Sequence, residues 1–367
     1  MIRVLHITGS LCVGGTETFI MNVFREIRKK NIIFDFLLFN NSKEGYFEEA
    51  VSLGAKIYIL PSRRDGVMAY RKALDIFFKV HHTEYNIVHY SGCTLSSIAP
   101  LFFAKKYGIS CRIVHGHSSS WTGLHNYLLH SVNRIFISEL ATHFLACSES
   151  SYDCFYKGII PRSITEIIRN GIDVDRFEYN IEVRQQYRKQ YGIADDTLVF
   201  GHIGRFSDVK NHKQLINVFA EIVKVEPNAR LLLVGEGETM PFVKAQANDL
   251  CVADKIIYVG QQTNVSPFLQ AMDCIIMPSL YEGLPFALVE AQAAGLPFVA
   301  STGISKEVDI IGHAKFISLQ APLNEWVDET LTLVKAYKRF NTKDIIVGAG
   351  YSIKDTVRRM EQIYSGY

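Results

Sequence analysis

Residues 281–295 read YEGLPFALVEAQAAG, and the reading of this stretch decides the fold. The preceding run, 274–278, is short and apolar, as a buried strand is. Pro285 suits the first turn of a helix, because its ring presets φ and its missing N–H would be unpaired there anyway. Ala287, Leu288, Ala291 and Ala294 supply an apolar stripe at helical spacing, and Gly295 with Pro297 ends the helix. The expectation is strand, tight turn, helix, with Glu282 in the turn and Glu290 in the second helical turn. A helix start exposes unpaired N–H groups and a partial positive charge, which suits a phosphate. Glu290 lies where a carboxylate could accept two hydrogen bonds from ribose hydroxyls. Glu282 lies beside the phosphate end, where a sugar would sit. Alone, two glutamates at this spacing are equally well two solvated side chains.

Length and composition narrow the rest. A chain of 367 residues is long enough for two domains, and 48% hydrophobic with 21% charged residues is ordinary for a globular protein. The formal charge of +2 hides an asymmetry: residues 1–171 hold 19 Lys and Arg against 13 Asp and Glu, the remainder 20 against 24. A basic first half suggests that it faces something anionic. Seven cysteines without a C-x-x-C pair suggest reduced thiols and a cytoplasmic location. The chain starts directly in a strand pattern with no signal-peptide signature, and no apolar run approaches bilayer-spanning length. Any membrane role would be peripheral. No Lys/Arg stripe interleaved with aromatics appears, so nucleic acid is not an expected partner.

Both halves alternate β-rich runs with helical patterns. Strands are expected at 3–7, 34–39, 56–60, 87–90, 112–115 and 143–148, then at 198–203, 229–234, 255–259, 274–278, 298–301 and 315–319. Helices are expected at 17–30, 66–80, 95–107, 124–139 and 149–156, then at 213–225, 240–248, 265–271, 285–294, 323–337 and 353–364. This is the α/β pattern of two Rossmann-like, doubly wound parallel sheets, with ligands at the carboxyl ends of the strands. The turn-forming tetrad 170–173, NGID, marks the boundary. It divides a first domain, 1–171 plus the closing helix at about 351–367, from a second, 172–350, with a cleft between them.

Four further stretches carry candidate chemistry. In 9–17, GSLCVGGTE, Gly14 and Gly15 let backbone N–H groups approach a ligand closely. The spacing is not G-x-G-x-x-G, which disfavours a nicotinamide cofactor. In 204–211, GRFSDVKN, Arg205 and Lys210 at a strand's carboxyl end suit a diphosphate, one as a planar fork and one as a mobile point charge. In 112–118, RIVHGHS, His115 and His117 lack the partner cluster a metal needs. A hydrogen bond from one of them to a sugar hydroxyl is the more reasonable role. The turn 234–238, VGEGE, reads as structural.

Taken in this order, these stretches resemble the family-4 retaining glycosyltransferases of the GT-B fold over nearly the whole chain. The resemblance rests on GGTE (14–17), GRF-x3-KN, NGIDVDRF (170–177), the closing helix and, most specifically, EGLPFALVEAQAAGLP (282–297). It is strongest to bacterial enzymes that build capsular or exopolysaccharide repeat units. It implies that Arg205 and Lys210 hold a donor diphosphate, that the Gly15 N–H touches the distal phosphate beside Gly14, and that Glu290 binds ribose. Glu282 would bind donor-sugar hydroxyls, and backbone groups of Gly283, Leu284, Phe286, Ala287 and Leu288 would meet the phosphate. The family histidine falls on His115 or His117. Catalytic roles would fall to His115, His117, Glu282, Arg205 and Lys210. The implied reaction moves a hexose or N-acetylhexosamine from a nucleoside-diphosphate sugar, with UDP the expected nucleotide, to a hydroxyl of a lipid-linked glycan, with retention.

Because cationic side chains would neutralise the leaving diphosphate, no metal or cofactor is expected. Two other readings share the fold: a UDP-sugar 2-epimerase, and a non-catalytic nucleotide-sugar-binding protein. The basic segment 63–82 carries Arg63, Arg64, Arg71, Lys72 and Lys79 beside Leu74, Phe77, Phe78 and Val80. It reads as an ordinary packed helix or as a segment that docks on an anionic membrane.

Overall fold

The computed structural model describes residues 1–118 and 124–366. The chain divides into two compact units, residues 1–171 with 352–367 and residues 172–351. The first holds a seven-stranded parallel sheet: β1 (Ile2–Ile7), β2 (Ile32–Leu38), β3 (Ile57–Ile59), β4 (Ile87–Gly92), β5 (Cys111–Gly116), β6 (His143–Ala146) and β7 (Thr165–Ile167). Their order across the sheet is β3-β2-β1-β4-β5-β6-β7. The second holds six parallel strands: β8 (Val199–Ile203), β9 (Arg230–Val234), β10 (Ile256–Gly260), β11 (Cys274–Met277), β12 (Phe298–Ser301) and β13 (Ala314–Ile317). They run β10-β9-β8-β11-β12-β13. Every residue of β8, β11 and β12 is buried, as expected of central parallel strands covered on both faces.

In each sheet the chain leaves one strand and winds outward in opposite directions on its two sides. The reversal lies between β1 and β4 in the first unit and between β8 and β11 in the second. Loops at such a switch point diverge and leave a crevice at the strands' carboxyl ends, where open α/β sheets bind ligands. The loop after β1 contains Gly14. The loops after β8 and β11 contain Arg205, Lys210 and Glu282.

The last helix, Ile353–Ser365, belongs to the first unit. It buries Ile353, Val357, Met360, Ile363 and Tyr364 there. Arg359 forks onto the Glu166 carboxylate, and the Thr356 hydroxyl donates to the Arg169 carbonyl at 3.3 Å.

Several local expectations need correction. The helix after β11 spans Phe286–Ala293, and Pro285 precedes it as an extended N-cap with ψ 124°. Its apolar residues are not one stripe: seven of its eight residues are buried, Glu290 and Gln292 included. The helix expected over 124–139 breaks into Leu124–Asn133, a 3-10 turn Arg134–Phe136 and Ile137–Leu140. The polar helix Ile181–Gln190 has no apolar stripe, so hydrophobic periodicity does not signal it. Tertiary contacts hold it instead. Arg188, almost wholly buried, donates to the carbonyls of Ala271, Ala194, Asp195 and Thr197, and both Arg188 and Arg184 pair with Asp273. In the segment 63–82, Leu74, Phe77 and Phe78 are core residues, whereas Val67, Met68, Ile76 and Val80 are exposed.

Candidate functional site

The second unit's switch point is built from two loops stitched together. The Leu280 amide donates to the Val209 carbonyl at 2.7 Å, and the Asn211 side-chain amide donates to the Pro278 carbonyl at 3.1 Å. Asn211 stands in the left-handed region at φ 51° and also caps the helix His212–Val225 through the Gln214 amide. That places Lys210 at the end of a 3-10 turn with its stem largely buried. Its ammonium lies 2.5 Å from Glu282 Oε1, which also accepts from the Ser279 hydroxyl at 2.8 Å. Glu282 is tied at both backbone ends, its amide to Gly303 O and its carbonyl to the Ser305 amide. Lys210 and Glu282 are thus a preformed, mostly shielded pair rather than two solvated charges.

Arg205 is placed differently. Its guanidinium is exposed and lies 3.1 Å from the equally exposed Glu238 carboxylate. An exposed pair of this kind is weak, so a stronger anion can take the arginine from Glu238. The loop carrying Glu238 reaches this position because Gly235, at φ 139°, lets the chain press against Gly204. A Cβ there would meet Gly204 O at 2.1 Å. The turn 234–238 therefore supplies the partner of Arg205, a role its sequence did not signal.

The helix Phe286–Ala293 starts beside this pair. Among the described residues, the amides of Gly283, Leu284, Phe286 and Ala287 have no protein acceptor, whereas Leu288 N donates to Pro285 O at 3.1 Å. Four free N–H groups and the positive end of the helix make an anion site. Glu290 is only 9% exposed, and its carboxylate has no hydrogen-bond partner among the described residues. Burial pushes its pKa up to about 7, with Arg176 opposing the rise. A buried, unpaired carboxylate is costly in the free protein and is matched to a ligand bringing donors such as vicinal hydroxyls.

Behind Lys210 stands a residue the sequence reading missed. His202 on β8 is fully buried, and its Nδ1–H donates to the Ile276 carbonyl at 2.9 Å. Its Nε2 is then a bare lone pair, without a partner among the described residues. A Cβ on Gly204 would sit 3.2 Å from Lys210 Cε and 3.3 Å from His202 Nε2, so both wall the same gap. Burial lowers the His202 pKa to about 4, which keeps the ring neutral beside the lysine.

In the first unit, the helix Gly15–Ile27 begins with no side-chain cap at Gly14. Glu17 folds back on this start: a Cβ on Gly14 would lie 2.6 Å from Glu17 Oε2. Burial raises the Glu17 pKa to about 7, opposed by its own amide and the Thr8 hydroxyl. His115 and His117 sit at the end of β5, with ring centroids 4.0 Å apart, and both Nε2 atoms are buried without a partner among the described residues. Burial lowers the His117 pKa to about 3 and the His115 pKa well below 6.5, so both act as neutral rings. His115 Nδ1 faces His89 Nε2 at 3.3 Å, and His89 Nδ1 faces the Tyr364 hydroxyl at 2.7 Å. The last helix therefore reaches the histidines through a buried row of hydrogen-bonding groups. No cluster of three or more metal-ligating side chains occurs among the described residues.

Residues 13–176 match the family described as Glycosyltransferase Family 4, and residues 183–340 match Glycosyl transferases group 1. The chain is 31% identical over 380 residues to the putative glycosyltransferase EpsF of Bacillus subtilis, covering 99% of this chain and 96% of that one. It is 26% identical to the UDP-Gal:alpha-D-GlcNAc-diphosphoundecaprenol alpha-1,3-galactosyltransferase of Escherichia coli, over 63% of this chain and 61% of that one. Among solved structures, Anabaena Alr3699/HepE in complex with UDP superposes with a TM-score of 0.77 over the whole of both chains, at 17% identity. At that identity the likeness shows the shared GT-B fold.

Proposed function

The chain belongs to the group 1, family 4 glycosyltransferases, and from that premise we propose that it transfers a hexose or N-acetylhexosamine from a UDP-sugar to a hydroxyl of a lipid-linked glycan, in capsular or exopolysaccharide synthesis. One observation carries the donor assignment. At the second unit's switch point, a lysine, a bare helix start and a buried, unpartnered glutamate occur together, as a diphosphate and a ribose require. UDP is suggested by the HepE complex that contains it and by the Escherichia coli galactosyltransferase, whose name also carries a lipid-linked acceptor.

The residue roles follow from chemistry. Lys210 shifts from Glu282 toward the diphosphate, and Arg205 leaves Glu238 for the same anion. The amides of Gly283, Leu284, Phe286 and Ala287 complete the cradle. Glu290 accepts from the ribose hydroxyls, and Glu282, partly freed from Lys210, accepts from the donor sugar. In the first unit the Gly15 amide suits a phosphate oxygen, and neutral His115 or His117 suits a sugar hydroxyl. As the anomeric bond breaks, charge grows on the leaving phosphate, where the cations and the helix start are already aimed. This neutralisation supplies what a divalent metal would otherwise supply. Retention is proposed through same-face attack of the acceptor hydroxyl, whose proton passes to the leaving phosphate.

A panel of UDP- and GDP-sugars tests the donor. A UDP-sugar at 100 times its dissociation constant should stabilise the protein by about 2.7 kcal/mol. Stabilisation by GDP-sugars alone, or no UDP release with any lipid-linked acceptor, refutes the assignment.

A further inference from the structure

Behind Lys210 lies a hydrogen-bond acceptor that no role proposed above uses. The His202 ring, carried by β8, is fully buried, and its Nδ1–H is committed to the Ile276 carbonyl at 2.9 Å. That bond fixes the tautomer: a neutral imidazole that donates through Nδ1 keeps a lone pair on Nε2. Nε2 has no partner among the described residues. It is also close to the lysine, since the place of a Cβ on Gly204 lies 3.3 Å from His202 Nε2 and 3.2 Å from Lys210 Cε.

Aromatic rings close the pocket. His212, the first residue of the helix that Asn211 caps, lies edge-on to His202 with ring centroids 4.6 Å apart, and it stacks on Phe206 at 4.0 Å. Both of its ring nitrogens are buried without a partner among the described residues, and burial lowers its pKa to about 2. Lys210 therefore has two neutral imidazoles and one carboxylate, Glu282, for neighbours. A dry acceptor without a donor is costly in the free protein. The other donors nearby are engaged. The Gly204 amide donates to the Val234 carbonyl at 3.0 Å, the Ser279 hydroxyl to Glu282 at 2.8 Å and the Asn211 side-chain amide to the Pro278 carbonyl at 3.1 Å. Lys210 differs, because an ammonium has three N–H bonds and Glu282 is its one acceptor among the described residues.

We propose that His202 is a positioning residue for Lys210: when a diphosphate draws the ammonium off Glu282, His202 Nε2 accepts one of its N–H bonds and holds it against the anion. The inference rests on the donor reading above. The movement it asks of Lys210 is a rotation about the terminal side-chain bonds. An imidazole suits this place better than a second carboxylate. Glu282 cancels the lysine's charge, whereas a neutral acceptor orients the ammonium and leaves that charge to the phosphates. Glu282 then keeps the Ser279 hydroxyl and is open to further hydroxyl donors.

The test is ¹⁵N NMR of the histidine rings in the full chain, without ligand and with saturating UDP. A bare imidazole nitrogen is strongly deshielded, and accepting a hydrogen bond moves it upfield. The His202 Nε2 resonance, assigned by its absence from His202→Gln, should be of the bare kind in the free protein and move upfield with UDP. In Lys210→Ala saturated with UDP it should stay in place. By calorimetry, His202→Leu should weaken UDP binding about ten-fold, the weight of one hydrogen bond to a charged group. His202→Gln, whose amide can donate to the Ile276 carbonyl and accept from the ammonium, should restore most of that loss. Added to Lys210→Ala, His202→Leu should have almost no further effect, since the two act as a pair. The NMR result stands even if the leucine variant does not fold. A resonance that UDP binding leaves unmoved overturns the proposal and leaves the transferase reading standing. Movement that persists in Lys210→Ala also overturns it, by giving the lone pair to the ligand. Equal losses in the leucine and glutamine variants would make His202 a packing residue. No UDP binding to the wild type refutes the donor reading and this inference with it.

Discussion

Replacing Glu290 with Gln tests the donor site through its proton. In the free protein the carboxyl titrates near 7 because it is buried without a partner. If two ribose hydroxyls donate to it, the complex favours the charged form and the pKa returns toward its ordinary value of 4.5. Binding then expels a proton, and affinity rises with pH. With those two values, affinity for a UDP-sugar should increase about 70-fold from pH 5 to pH 8, with about 0.9 proton released per binding event at pH 6. The diphosphate diester of a nucleotide sugar does not titrate in this window, whereas free UDP does, so the sugar nucleotide is the probe. Calorimetry in buffers of different ionisation enthalpy measures the proton directly. Glu290→Gln should abolish the proton release attributable to this site and flatten its pH dependence. Glu17, which also titrates near 7, is controlled by Glu17→Gln. The stability sign runs the other way. A carboxyl whose folded pKa is raised stabilises the free protein below pH 4.5 and loses that contribution as pH rises through 7. Glu290→Gln should therefore raise stability at pH 8 by about 3 kcal/mol, the order of magnitude of a 2.5-unit shift. Donor affinity that changes less than three-fold between pH 5 and 8 in wild type, without proton release, would refute the ribose role.

Lys210→Ala should lower kcat by 10²–10³, about 3–4 kcal/mol of lost charge stabilisation, with a smaller loss for Arg205→Ala because its guanidinium is exposed and its ion pair weak; more than half of wild-type turnover in the lysine variant would exclude it from the phosphate. Arg339 donates to the carbonyls of Ala294, Gln270 and Leu269 from a half-buried position over the Tyr179 ring, so Arg339→Met should destabilise the second unit by about 3 kcal/mol in urea unfolding. An unchanged midpoint would mean that other groups satisfy those helix ends. Tyr364→Phe strips the hydroxyl from His89 Nδ1 and should cost about 1–3 kcal/mol while shifting the ¹⁵N resonances of His89 and His115 as their tautomers change; unmoved resonances would show that the row does not set those tautomers.

What could be read along the chain was whatever short-range periodicity and turn chemistry encode. Alternating strand and helix patterns identified two doubly wound sheets, and glycine, cation and carboxylate positions after particular strands pointed to phosphate and ribose. Where side chains from distant positions settle the outcome, that reading ran out. The helix Ile181–Gln190 is polar and exists because Arg184 and Arg188 reach Asp273 and Arg188 the Ala271 carbonyl, more than 80 residues away. Glu238 as the partner of Arg205 and the Tyr364 contact with His89 each join residues far apart in the chain, and local spacing holds no trace of them. The same holds for the segment 63–82. Sequence pattern put basic and apolar residues together in 63–82, but only packing decided that Leu74, Phe77 and Phe78 go inward and Ile76 and Val80 stay out. Sequence alone determines which groups this protein brings to the proposed nucleoside-diphosphate site. Their charge state, pairing and exposure come from the fold, because desolvation and ion pairing depend on what surrounds a side chain in space.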